Sequence, residues 1–132
     1  MKLNEALKGK KFVVTSEVQA PLFDARPEDL VECLKRVRGR VDGVSVTDVE
    51  LEGVVGDTIH TCELLEQSRF NSIYQTTTRD KNRIQLQKDL TQAHQVGIEN
   101  LLVLGPGLSE IEFRPLTDHP ALHPGQAATI FN

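Results

Sequence analysis

The sequence predicts an α/β fold built on a parallel sheet, and three observations carry that prediction. Short apolar or β-branched runs alternate with segments of helical periodicity in the order β-α-β-α-β-α-β. Equivalent strand ends fall at Glu17, Thr47, Gln75 and Gly105, separated by 30, 28 and 30 residues. The 132 residues, 39% hydrophobic and 26% charged, have the length and composition of one globular domain. Units this regular fit either a segment of a (β/α) barrel or a small doubly wound sheet, with right-handed crossovers in both.

Each element has its own signal. Residues 12–18, Phe-Val-Val-Thr-Ser-Glu-Val, are short and β-branched, and Pro21 closes this first strand. Pro27 suits a first helical position, with Glu28 and Asp29 in the positive first turn. Leu30, Val31, Leu34 and Val37 then recur at helical spacing; Lys35, Arg36 and Arg38 fill the last turn and Gly39 stops it. A second strand is predicted from Val41 to Thr47. Asp57 caps a helix reaching Ser68, with Ile59, Cys62 and Leu65 inward and Leu64 on the flank. Residues 72–77 make the third strand. Asp80 or Asn82 caps a third helix whose inner stripe is Leu86, Leu90 and Ala93 and which ends at Gly97. Ile98 to Leu104, nearly all apolar, reads as a strand buried on both faces. Beyond it Pro106, Pro115, Pro120 and Pro124 break the pattern. Residues 1–132 are thus read as one domain, with a βα-repeat core over 12–105 and an irregular tail over 106–132.

Composition excludes several classes of function. Lysine and arginine number 15 against 19 acids, a net charge of −4, so the electrostatic footprint of a nucleic-acid binder is missing. Aromatics are 5% with no tryptophan, which leaves little for stacking on bases. No apolar run approaches the roughly 18 residues of a membrane span. The N-terminus leads into no apolar signal segment, so a cytoplasmic protein is expected. Cys33 and Cys62 form no C-x-x-C pair and fall on or beside inner helical faces; His60 and His94 fall on predicted helices at or near the surface. Asp118, His119 and His123 lack a third strong ligand, so no metal site is expected. Gly105-Pro106-Gly107 matches neither a Walker motif nor a dinucleotide fingerprint.

In either parallel architecture ligands meet the carboxyl ends of the strands, and the unusual polar residues of this chain gather there. Glu17 ends the first strand, Thr47 and Asp48 the second, and Gln75-Thr76-Thr77-Thr78-Arg79-Asp80 the third. A glutamate at such a rim, shielded by its neighbours, can serve as a general acid. Arg79 can hold an anion, and the threonines can hydrogen-bond a polar ring. The plainer reading leaves Glu17 solvated and Asp80 as a helix cap beside an ion pair with Arg79.

Four stretches resemble the methylenetetrahydrofolate reductase family. They are Phe12-Val-Val-Thr-Ser-Glu17-Val with Pro21, and Val41-Asp-Gly-Val-Ser-Val-Thr47-Asp48. The others are Gln75-Thr-Thr-Thr-Arg79-Asp80-Lys-Asn82-Arg83 with Leu86 and Asp89-Leu90, and Gly97-Ile-Glu-Asn100-Leu-Leu-Val-Leu104. The similarity runs from about residue 12 to 105, and more faintly to Asp118-His119-Pro120 and Ile130-Phe131.

The resemblance implies a TIM-type (β/α) barrel that binds FAD. Such a barrel passes a hydride from NADH or NADPH, through the flavin, to methylenetetrahydrofolate. Glu17 matches the family's catalytic glutamate, which protonates nitrogen to help open the imidazolidine ring. Thr47 matches a strand-end threonine beside the flavin, and Gln75 stands where many members carry a flavin-contacting histidine. Thr77 and Arg79 complete the expected cofactor-binding set. The chain departs from the family after the fourth strand, where Gly-Asp becomes Gly105-Pro106-Gly107 and the carboxylate is lost. A full barrel takes eight strands and about 250 residues, so the expectation is a partial, half barrel. Its open edges are met by a second copy in a homodimer, by a separate subunit carrying the other half, or by the tail covering them in a monomer, and its substrate is a folate. The alternative is a catalytically silent partner or scaffold subunit derived from the reductase barrel.

Overall fold

In Gly43–Thr47, valines alternate with small and polar residues, and this period of two decides which side of a sheet each side chain takes. The computed structural model describes residues 3–9, 12–21, 26–47, 50–51, 54–78 and 81–105. In chain order the elements are α1 (Leu3–Gly9), β1 (Thr15–Gln19), α2 (Pro27–Leu34) with a 3-10 turn at Lys35–Val37, and β2 (Gly43–Thr47). Then follow β3 (Glu50–Leu51), β4 (Val54–Val55), α3 (Thr58–Gln67), β5 (Ser72–Thr77), α4 (Arg83–Gln95) and β6 (Leu101–Leu104). Strands β1, β2, β5 and β6 form one parallel sheet in that order, while β3 and β4 make a small antiparallel hairpin.

Val44, Val46 and Tyr74 leave one face of the sheet and pack against Val31 and Leu34 of α2, Ile59, Cys62 and Leu65 of α3, and Leu86, Leu90 and Ala93 of α4. All three crossover helices therefore cover the same face, here termed the outer face. A doubly wound sheet reverses its strand order and carries helices on both faces. Among the described residues this sheet does neither: its strands lie side by side in chain order and α2, α3 and α4 pack on one face. The α/β fold is therefore the wall of a (β/α) barrel, and the other, inner face corresponds to a barrel interior.

The helix boundaries follow their caps. Asp57 accepts a hydrogen bond from the His60 N–H at 2.9 Å, and Asn82 rather than Asp80 caps α4, accepting from the Gln85 N–H at 2.8 Å. Gly97, at φ +86°, ends α4: its N–H donates to His94 O and that of Ile98 to Ala93 O, both at 3.1 Å.

Strand β5 spans Ser72–Thr77 as expected, but the other three strands of the parallel sheet differ from the sequence reading. Phe12 is 80% exposed and the Val14 N–H donates to the Asp42 carboxylate, so β1 starts at Thr15 and runs to Gln19. Similarly, β2 starts at Gly43 rather than Val41, and β6 at Leu101 rather than Ile98. The Asn100 side chain donates to Ser72 O at 3.0 Å and accepts from the Leu3 N–H at 2.6 Å, anchoring α1 beside the start of β6. The expectation that this last strand is buried on both faces does not hold. Leu101 and Val103 pack against the core, whereas Leu102 and Leu104 are 42% and 45% exposed on the inner face. Cys62 is buried in the core, but Cys33 lies on the exposed side of α2. Helix α1 and the β3–β4 hairpin carry too few residues for a periodic signal and were not expected. Among the described residues no helix is long and apolar enough to cross a membrane. Asp48, Arg79, Asp80 and the tail over 106–132 lie outside the described residues.

Candidate functional site

Val18 packs toward the helices, so its neighbour Glu17 takes the inner face of β1. Register pairs Glu17 with Ser45 on β2. On β5 the same alternation sends Tyr74 and Thr76 to the outer face and Ile73, Gln75 and Thr77 to the inner one. Gln75 is only 4% exposed. Its side-chain nitrogen donates to Glu17 Oε2 at 2.8 Å and lies 2.6 Å from Ser45 Oγ. Three adjacent strands thus place a carboxylate, an amide and a hydroxyl in one hydrogen-bonded group, with the carboxylate on its exposed side.

Thr47 lies one inward step beyond Ser45 toward the carboxyl end of β2, and its hydroxyl donates to Val18 O at 3.3 Å. Thr77 is half-buried on the inner face. The other two threonines of the run are fully buried and serve the scaffold. Thr76 Oγ1 accepts from Lys81 Nζ at 3.0 Å, and Thr78 Oγ1 donates to Leu104 O at 3.4 Å. Lys81 also pairs with Asp89 at 3.1 Å, tying the start of α4 to the end of β5. Glycine is required at Gly56 by close approach. A Cβ there would lie 2.8 Å from Ala20 Cβ and 2.9 Å from Ala20 O, so the segment entering α3 sits directly against the end of β1.

Sequence reasoning singled out Glu17, Thr47, Gln75, Thr77 and Arg79. The first four lie on one face of one sheet, and Glu17 and Gln75 are in direct contact; Arg79 is outside the described residues. Ser45 was missed. The signal that finds it is the Val44-Ser45-Val46 alternation, which puts a hydroxyl on the face where Thr47 also points. Chemically, the group can hold, accept or release a proton at Glu17, and the apolar surface of Leu102, the register partner of Gln75, flanks the group on the side away from Glu17.

A parallel sheet in chain order, covered by helices outside and carrying a held carboxylate inside, defines part of a (β/α)-barrel protein. The methylenetetrahydrofolate reductase family model matches residues 2–109, and the chain belongs to that family. No match to the chain is found among curated proteins.

Proposed function

We propose that this chain is a reductase-like barrel wall in which Glu17 is the acid for hydride transfer to methylenetetrahydrofolate, with FAD bound against the inner face. The reading rests on family membership and on one observation above the rest: Glu17 stands on the inner face, held by Gln75 across β2. The residues present suit a flavin. An isoalloxazine ring has apolar faces and a hydrogen-bonding edge, and the inner face offers both kinds of surface. Leu102 and Leu104 supply exposed apolar area, and Thr47, Gln75 and Thr77 supply polar groups. Arg79 belongs to the same proposed set. When bound, the flavin carries a hydride from NADH or NADPH to the methylene carbon of the folate.

The task of Glu17 is a proton transfer. It gives its proton to a ring nitrogen of the substrate, the imidazolidine ring opens, and the methylene carbon is left ready to receive the hydride. Gln75 keeps the carboxyl group from swinging into solvent. A second copy of this chain over Leu102 and Leu104, in a cytoplasmic homodimer, belongs to the same reading. The two outer strands of the described sheet, β1 and β6, are parallel, so a copy's β1 can continue the order beyond β6. A separate subunit carrying the other half of the barrel would fill the same place.

Two measurements test the reading. Purified chain mixed with FAD is expected to retain the flavin's visible absorbance after gel filtration. E17Q is expected to lower folate-dependent turnover by about a hundred- to ten-thousandfold while leaving reduction of the flavin by reduced nicotinamide intact. Unchanged turnover in E17Q would remove the acid assignment. A second reading, a catalytically silent scaffold subunit, is favoured by Pro106 standing where the family carries an aspartate; a chain that retains no flavin supports it.

A further inference from the structure

Glu17 and Ser45 are register partners on adjacent strands, yet the link between them runs through a third residue. Gln75 spends both hydrogens of its side-chain nitrogen, one on Glu17 Oε2 at 2.8 Å and one on Ser45 Oγ at 2.6 Å. Gln75 and Ser45 are 4% and 6% exposed, so the bond between them is shielded from water, while Glu17 lies on the exposed side of the group. Among the described residues, the inner-face positions around Glu17 on β1, β2 and β5 are Thr15, Gln19, Ser45, Thr47, Ile73, Gln75 and Thr77. None of these is titratable.

We propose that Ser45 is a positioning residue that makes the Gln75 amide reversible, so that Glu17 is held in the same place with and without its proton. The proposal deepens the reading of Glu17 as an acid. An ionised carboxylate only accepts hydrogen bonds, and the amide N–H group serves it. Once Glu17 is protonated its O–H needs an acceptor. A half-turn of the amide, which is nearly symmetric in shape, brings Oε1 to the same spot. There Oε1 accepts from the Glu17 O–H and from the Ser45 O–H.

A hydroxyl suits both orientations because it accepts in one and donates in the other. Alanine at position 45 does neither. An aspartate there would favour only the N–H orientation. An acid that is reloaded at every turnover gains from this arrangement, since its carboxyl group stays aimed through the whole cycle.

The test uses the full chain without flavin and follows the Gln75 side-chain amide by NMR, assigned by its disappearance in Q75L. On acidification the Gln75 signals are expected to shift with the same midpoint as the Glu17 carboxyl carbon, and in E17Q to stay fixed. In S45A the amide hydrogens are expected to exchange with solvent about three- to tenfold faster, and S45T is expected to restore the slow rate. Gln75 signals that ignore Glu17 overturn the proposal, as does an S45A exchange rate equal to that of the unaltered chain. Should S45A fail to fold, S45C, whose thiol is only a weak hydrogen-bond partner, is read in its place with the same two outcomes. No arm depends on flavin or hydride transfer, so loss of the reductase reading and loss of this proposal are separate results.

Discussion

Burial of the Cys62 thiol among Leu65, Tyr74 and the facing helices raises its pKa from 9.0 to about 12. Desolvation is the main cause; a hydrogen bond with Ser72 opposes it, and the charge of Glu66 adds to it. The folded value lies above the unfolded one. The thiol's contribution to stability is therefore complete below pH 9.0 and is lost as pH rises toward about 12. In C62V, of similar volume, the fall of unfolding free energy between pH 9 and 11 is expected to be shallower by up to about 1.4 kcal/mol per pH unit. Denaturant titrations at stepped pH measure this. Side-chain chemistry of this kind was partly legible in the sequence. Cys62 lies on the buried helical stripe where its spacing puts it, whereas Glu17, expected at a strand end, lies at the middle of β1, two residues before its end at Gln19. Ser45 was not legible because its role depends on a glutamine 30 positions away that only the sheet brings within reach.

Helices with strong punctuation were legible as elements. Asp57 and Asn82 act as caps because their carboxyl or amide oxygen satisfies an N–H that the first turn leaves unpaired. D57A and N82A are each expected to cost about 1 kcal/mol of stability, read from urea unfolding. The exit from α3 is less favourable. Arg69 takes φ +61°, its N–H donates to Glu66 O at 2.9 Å, and its side chain is exposed. A glycine suits that left-handed position, so R69G is expected to gain about 0.5–1 kcal/mol in the same measurement. Strand limits were harder to read than helix limits. A β-branched run marks where a strand can form, but pairing decides how much of it does, and among the described residues the ladder between β1 and β2 begins only at Thr15, with Val14 held by Asp42. Helix α1, at seven residues, is stabilised through the distant Asn100 side chain, which no local pattern announces.

At the scale of the whole molecule, strand spacing was compatible with two architectures, and the strand order in space separates them. That order is a property of long-range pairing, absent from any window of the sequence. The apolar content of β6 was legible, but not its consequence. Half of that content lies open on the inner face, where Leu102 and Leu104 have no covering layer among the described residues. If a second copy covers this face, as proposed, the purified chain sediments above the mass of one chain and L102E/L104E returns it to one. A one-chain mass for the unaltered protein removes the homodimer. The Asn100 side chain carries a further implication for how the protein is made. It holds Leu3, 97 positions earlier, and the carbonyl of Ser72 at once. Asn100 is translated 97 positions after Leu3, so helix α1 docks late, onto a sheet already largely assembled.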